Sequence, residues 1–325
     1  MLHKFQNYFL KRFARKEFLN RVLKIMSAYF LGKNFIGNKK IFSQTTSNTT
    51  TDSEGSKLTI IKGKDLSKET IFKMVDKGLE NLGGINKFIK KGMNVVIKPN
   101  IGFNAPPESA FTTNPHLVEA VAKKCVETGA KVTVFDRPVH TDKLCYRNSK
   151  ILEAIENAGA KVHYMDDRKF KEVKIKNGIN LNKLEVYEEI IKADFIINMP
   201  IAKHHSSANL TMSMKNLMGV IGGRRGWFHL YLHENIVDFN KAVPVQLVIL
   251  DALRILTANG PASGTEKDVK ETNTIVMGTN PVSVDAYTTS LFNKKPTDLE
   301  YLTLAAKEKM GEIDIKKLNI QNINV

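Results

Sequence analysis

From Leu58 onward, short apolar runs alternate with longer amphipathic stretches, and the alternation predicts the elements. Leu58 to Lys62 reads as a strand, Lys68 to Leu82 as a helix closed by Gly83-Gly84, and Asn94 to Lys98 as a strand stopped by Pro99. Asn114 to Thr128 reads as a helix, with Asn114 as N-cap, Pro115 in the first turn and Gly129 as the stop. Lys131 to Phe135 and Lys161 to Met165 read as strands around a helix from Ser149 to Ala158. Lys169 to Leu184 is less regular and reads as a hairpin turning at Asn177-Gly178. Phe195 to Met199, Val245 to Leu250 and Thr274 to Met277 are further strands; Val282 to Phe292 and Asp298 to Lys309 are further helices. Phe195 to Met199 is a short, mainly apolar run, too brief for a helix, the pattern of a strand buried on both faces. The βαβα order predicts an α/β fold: a largely parallel sheet covered by helices, as one large domain or two smaller lobes.

Upstream the pattern changes. In residues 1–42, Phe18, Leu19, Val22, Leu23, Met26, Tyr29 and Phe30 share one helical face, with Lys16, Asn20, Arg21 and Lys24 on another. This is a cationic amphipathic segment, suited to a membrane surface or to packing on the body or a partner. Arg15-Lys16-Glu17-Phe18-Leu19 also resembles a degenerate twin-arginine export signal, with no small-residue cleavage site after it. Residues 43–57 open with SQTTSNTTTDSEGS, which has nothing to bury and reads as a flexible linker. The α/β domain then occupies 58–325, in the cytoplasm, at a membrane, or exported if the signal is read.

The charge of +16 is uneven: residues 1–57 hold eleven Lys or Arg against three Asp or Glu, and the remaining residues carry the other +8. A moderately basic body suits anionic ligands, while the absence of a binding motif or aromatic-interleaved basic stripe argues against nucleic acid. Cys125 and Cys145 are too few for a disulfide framework or for an iron–sulfur cluster within this chain, and Cys125 falls on the apolar face of a helix.

Ligands of open α/β sheets bind beyond the carboxyl ends of the strands. Here those ends are polar: Lys98 and Asn100 after one strand, Asp136 after the next, Lys203 and His205 after Phe195 to Met199, and Asp251 after Val245 to Leu250. His204 and His205 point to opposite sides of extended chain, and His205 is the candidate, as acid, base or metal ligand. TMSMKNLMGV predicts a helix bearing Lys215 and Asn216, with Thr211 at its start and methionines filling the core. Gly222-Gly223-Arg224-Arg225-Gly226 can bring backbone N–H groups and guanidinium to an anion, and Arg224 is taken as the contact. It matches no nucleotide fingerprint. His229 and His233 stand four apart, the spacing of a metal pair on a helix, though not as H-E-x-x-H. Asn259-Gly260-Pro261 is a turn placed to wall a pocket, and Asp285 lies in the first turns of a helix.

Six blocks together resemble a known family: VVIKPNIG at 95–102, TTNPHLVEAVAKKCVETGAKVTVFD at 112–136, ADFIINMPIAKHH at 193–205, LTMSMKNLMGVI at 210–221, VILDALRILTANGP at 248–261 and NPVSVDAYTTSLF at 280–292. The family is number 362 of the domains of unknown function, and the resemblance spans about 58–325. Its members have no generally established activity. Many carry a ferredoxin-type iron–sulfur module and some a twin-arginine signal, so the resemblance implies a metal- or redox-linked role and a separate redox partner. This chain lacks the cysteine-rich module. Carried over by position, the motif points to Lys98, Asn100, Asp136, Lys203, His205, Lys215, Asn216, Asp251 and Asp285. The family's usual Lys-Thr-His at 203–205 favours His205 over His204. A more distant similarity to the nickel-pincer lactate racemase architecture rests on no motif of this chain.

Two expectations follow. In one, the domain is an enzyme for a small anionic ligand, with His205, Asp136, Asp251 and Asp285 as acid, base or ligands of a divalent metal (His205 and Asp285 foremost). Lys98, Asn100, Lys203, Thr211, Lys215, Asn216 and Arg224 would hold the anion. In the other, it is a non-catalytic accessory protein held at a membrane surface by residues 1–42.

Overall fold

The computed structural model describes residues 57–325; the amphipathic segment and the linker lie outside the described residues. Residues 57–325 fall within one unit built on a mixed, mostly parallel sheet. Its strands are β1 (Lys57–Lys62), β2 (Asn94–Pro99), β3 (Lys131–Val134), β4 (Lys161–Val162), β7 (Phe195–Met199), β8 (Ile201–His205), β9 (Asn209–Thr211), β10 (Leu247–Leu256), β11 (Val269–Gly278) and β12 (Asn319–Asn324); β5 (Phe170–Lys174) and β6 (Lys183–Tyr187) form a separate hairpin. The order is β12-β1-β11-β10-β7-β2-β3-β4, with β8 beside β10 and β9 beside β8. β11 runs against both of its neighbours and β9 against β8; the other pairs in the sheet are parallel.

Alternate side chains enter two cores. Val95 and Ile97 of β2, Phe195 and Ile197 of β7, and Leu247 and Ile249 of β10 join the core under α1 (Lys68–Asn81), α2 (Pro115–Glu127), α3 (Asp142–Asn148) and α4 (Ile151–Asn157). Val96, Ile196, Val248 and Leu250 join the other core, which includes residues of α5 (Glu188–Lys192), α6 (Ser213–Asn216), α7 (Leu232–Ala242), α8 (Pro281–Thr288) and α9 (Glu300–Lys307). Burial on both faces explains why these strands read as mainly apolar runs and not as an alternating pattern. The helix starts follow local chemistry: the Asn114 side chain caps α2 by accepting from His116 N and Leu117 N, with Pro115 in the first turn. Cys125 is buried as filler, its thiol pushed up to about 12 by burial.

The structure departs from the sequence pattern in several places. β10 and β11 are longer than their apolar runs because they continue as an antiparallel pair past the parallel sheet. β4 is cut to two residues, and α3 forms where no element is predicted. β12, NIQNIN, is a polar edge strand that has no apolar run to betray it. Most consequentially, the chain does not leave the sheet at Pro200. β2 pairs with β7 only as far as Pro99 and Met199, while β8 continues beside β10 and folds back through β9. The sheet thus opens beyond the ends of β2 and β3, and the space is walled by β8, β9 and α6.

Among the described residues no helix is long and apolar enough to cross a membrane.

Candidate functional site

The space beyond these strand ends is a cavity of about 220 Å³, lined by residues from the ends of β2, β3 and β8, from β9, α6 and the 218–229 segment, and by Pro261. Lys98 is the last inward residue of β2 and is 1% exposed. Its Nζ donates to Pro99 O at 2.9 Å and Asn216 Oδ1 at 3.0 Å and pairs with Asp136 Oδ1 at 2.8 Å. Burial pushes its ammonium down, and Asp136 works against that. Asp136 also accepts from Ile101 N at 2.7 Å and Arg137 N at 2.9 Å, so both of its oxygens are committed. Gly219 packs against this pair, and a Cβ there would lie 1.9 Å from Asp136 Oδ1.

Asn100 and Asn216 connect the strand ends to α6. Asn216 Oδ1 accepts from Lys98 and, at 3.0 Å, from Asn100 Nδ2, while its Nδ2 donates to Asn198 Oδ1 at 2.8 Å. Lys203 Nζ donates to Phe111 O at 2.5 Å and Asn100 Oδ1 at 3.3 Å and sits 4.8 Å from the Phe103 ring centroid. Burial, then the neighbouring Lys215, pushes it down to about 7. Lys215 is 7% exposed and has no hydrogen bond or ion pair among the described residues; burial, then Lys98 and Arg225, brings it down to about 8. Thr211 Oγ1 is buried without a partner at the same wall.

His205 Nδ1 accepts from Ser207 N at 3.1 Å and Ala208 N at 3.3 Å, which assigns the ring proton to Nε2. Burial, with Lys215 next in size, pushes the ring down to about 3, so it is neutral at physiological pH. It stacks on His229, centroids 6.2 Å apart and planes 21° from parallel. His229 Nδ1 lies 3.2 Å from Arg225 O, the geometry of a ring donating from Nδ1. Arg225 donates to Arg137 O and Pro138 O, both at 2.7 Å.

A family model described as "Domain of unknown function (DUF362)" matches residues 95–290, a span that holds all the residues lining the cavity. The chain belongs to the DUF362 family. A curated relative, the thylakoid-associated protein sll1697 of Synechocystis sp., is 28% identical over 242 residues, 72% of this chain and 73% of its own. Among solved structures, the lactate racemase apoprotein of Thermoanaerobacterium thermosaccharolyticum matches 68% of this chain with a TM-score of 0.45 and 14% identity. This chain spans 54% of that one. A Thermotoga maritima protein matches 71% of the chain with a TM-score of 0.40 and 10% identity.

Of the residues that the DUF362 motif singles out, Lys98, Asn100, Asp136, Lys203, His205, Lys215 and Asn216 meet at the cavity, as does Thr211 from the reading of the chain itself. Asp251 and Asp285 do not line it. Asp251 Oδ2 accepts from Asn114 N at 2.7 Å and its Oδ1 from Leu253 N at 2.9 Å, tying the start of α2 to β10. Asp285 Oδ1 accepts from Ser213 N at 2.7 Å and Ser213 Oγ at 2.5 Å, and Oδ2 from Met214 N at 3.0 Å, fastening α6 to α8. Among the described residues no three His, Cys, Asp or Glu side chains are grouped to hold a metal. His229 and His233 share no helix face: His229 ends a 3-10 turn at the cavity, and His233 sits on α7, 3.6 Å from Glu300 and stacked on Tyr301.

Arg225, not Arg224, reaches the cavity; Arg224 turns outward over the Trp227 ring. The GGRRG loop signals the guanidinium but not which of two neighbours faces inward. His204 is outside the cavity, accepting from Gly260 N at 3.0 Å, while Pro261 forms part of its wall. Arg137, Phe103 and His229 also line the cavity; Arg137 directly follows a strand-end carboxylate, the one local signal for it.

Proposed function

We propose that the cavity binds a small anion, a carboxylate or phosphate, and presents it to His205. The observation that carries this reading is that three cations, Lys203 and Lys215 buried and Arg225 half-buried, line one space with no carboxylate ion pair among the described residues, whereas Lys98 has Asp136 and Arg137 has Asp167 at 2.9 Å. Isolated buried charge is costly unless paired, and an anion in the cavity removes that cost. The arrangement also suggests chemistry. A neutral imidazole with its Nε2–H presented to the ligand polarises an oxygen without transferring a full proton, and stacked His229 offers a lone pair as base. Thr211 Oγ supplies a further donor. The volume limits the bound portion to a small acid rather than a nucleotide.

The test is a calorimetric titration of the full chain with malonate, succinate and inorganic phosphate, beside Lys215→Met and Arg225→Met. Millimolar or tighter binding that each variant weakens at least tenfold is expected. No heat with any of the three, or unchanged affinity in both variants, would sink the reading.

A second reading, a membrane-surface role, is favoured by one observation: Trp227, Leu230 and Tyr231 are 67%, 76% and 57% exposed within five residues, with Arg224 against the indole. Aromatic and cationic side chains of this kind suit a bilayer interface, and the Synechocystis relative is named as thylakoid-associated. Trp227 is the one tryptophan of the chain, so its emission reports this patch. Vesicles rich in anionic lipid should shift it to the blue; unshifted emission while the protein co-sediments with vesicles removes this patch from the contact.

A further inference from the structure

Three lysines reach the cavity, and two are held there by hydrogen-bond acceptors. Lys98 holds Pro99 O, Asn216 Oδ1 and Asp136 Oδ1; Lys203 holds Phe111 O and Asn100 Oδ1. Lys215 differs: it is nine-tenths buried, opens on the cavity, and has no acceptor among the described residues. A buried amine beside other cations, with no acceptor to hold its protons, is the setting in which a lysine serves as a nucleophile. We propose that Lys215 Nζ condenses with the aldehyde or ketone carbon of a small oxo acid to form an imine. This rests on the anion reading, because the acid's carboxylate is the group that Lys203 and Arg225 would receive.

The step balances without a co-reactant. The neutral amine attacks the carbonyl carbon and the C–N bond forms. The carbonyl oxygen leaves as water, taking the two hydrogens the nitrogen loses. His205 Nε2–H stands at the cavity to hydrogen-bond the oxygen as charge develops on it. The imine nitrogen, protonated from solvent, withdraws electrons from the adjacent carbon. The shifts to about 8 at Lys215 and about 7 at Lys203 agree with free amine being accessible near neutrality. Lys203, however, is fixed in place by Phe111 O and Asn100 Oδ1, whereas Lys215 is held by no acceptor among the described residues.

The full chain is incubated with pyruvate, glyoxylate or 2-oxoglutarate and sodium borohydride, then analysed by intact mass and peptide mapping, with malonate binding measured in parallel. A single adduct, the mass of the acid less one oxygen, is expected at Lys215 in wild type and absent in Lys215→Arg, whose fold is checked by circular dichroism. The yield should fall roughly fiftyfold from pH 8 to pH 6 as the amine is protonated, a titration faced by Lys98, Asp136, Lys203, His205, Arg225 and His229. Malonate binding without adduct from any of the three acids overturns the imine and leaves the anion site standing. Neither binding nor adduct overturns both. An adduct that persists in Lys215→Arg, or spreads over surface lysines, overturns the assignment. An adduct at Lys215 without malonate binding keeps the covalent site and removes the anion reading.

Discussion

Lys98 Nζ and Asp136 Oδ1 meet at 2.8 Å with side chains 1% and 3% exposed, so the end of β2 is fastened to the end of β3 by an ion pair out of contact with water. Such a pair adds little net stability, but breaking it strands a charge. Asp136→Ala should therefore cost about 3–5 kcal/mol, because it also leaves Ile101 N and Arg137 N without their acceptor. Urea unfolding of the variant beside Lys98→Met/Asp136→Leu checks this, and the double variant should recover much of the loss.

Gly219 makes this approach of Asp136 and Lys98 possible. A methyl group there would lie 1.9 Å from Asp136 Oδ1 and 2.7 Å from Lys98 Nζ. Gly219→Ala should cost on the order of 1–3 kcal/mol and weaken anion affinity by displacing the pair. An unchanged urea midpoint with unchanged anion affinity would show that the neighbouring backbone yields freely.

Lys203 and Lys215 lose protons at about 7 and 8 in the folded apo chain, against 10.5 for a free lysine. Between those values and 10.5 the unfolded chain binds more protons, so these two lysines make folding more favourable as pH rises through that window. Their penalty is full below about 7 and gone above 10.5. Anion binding runs the other way, since the anion prefers the ammonium form. Phosphate-free calorimetry with malonate from pH 6 to 9 should show affinity falling through 7 and 8, with the upper step missing in Lys215→Met.

Asp285 is pushed up to about 7 by burial, although Ser213 and Met214 donate to it. Its contribution to stability is full below the ordinary carboxylate value of 3.8 and is lost as pH rises toward 7. Asp285→Asn should flatten this part of the stability profile, and Asp285→Ala should cost on the order of 3 kcal/mol by orphaning buried donors. Both should weaken ligand binding less than they weaken the fold, because Asp285 positions α6 and does not line the cavity. Thermal melts at pH 5 and 7 beside malonate affinity separate the two effects.

Much of this fold is written in the chain where local signals and burial agree. Asn114-Pro115 begins α2, and the apolar run 195–199 forms a strand buried on both faces. The gathering of Lys98, Asn100, Lys203 and His205 follows from strand polarity alone, since parallel strands end on one side. β8 was hidden because Pro200 reads as a stop, while its carbonyl in fact accepts from Asp251 N at 2.8 Å and the chain continues beside β10. Asp251 and Asp285 resemble site carboxylates in sequence. Their donors, Asn114 N and Ser213 N, lie 137 and 72 residues away, a distance that no local pattern spans. The choice between Arg224 and Arg225 turns on which guanidinium meets the carbonyls of Arg137 and Pro138, again a contact across the chain.

Those two carbonyl contacts also bear on how a ligand would leave. Arg225 is a clasp that pins its segment beside the cavity and a charge that lines it. On the proposed anion reading, lifting the segment would break the clasp and withdraw the charge in one motion, so substitution of Arg225 should change residence time together with affinity.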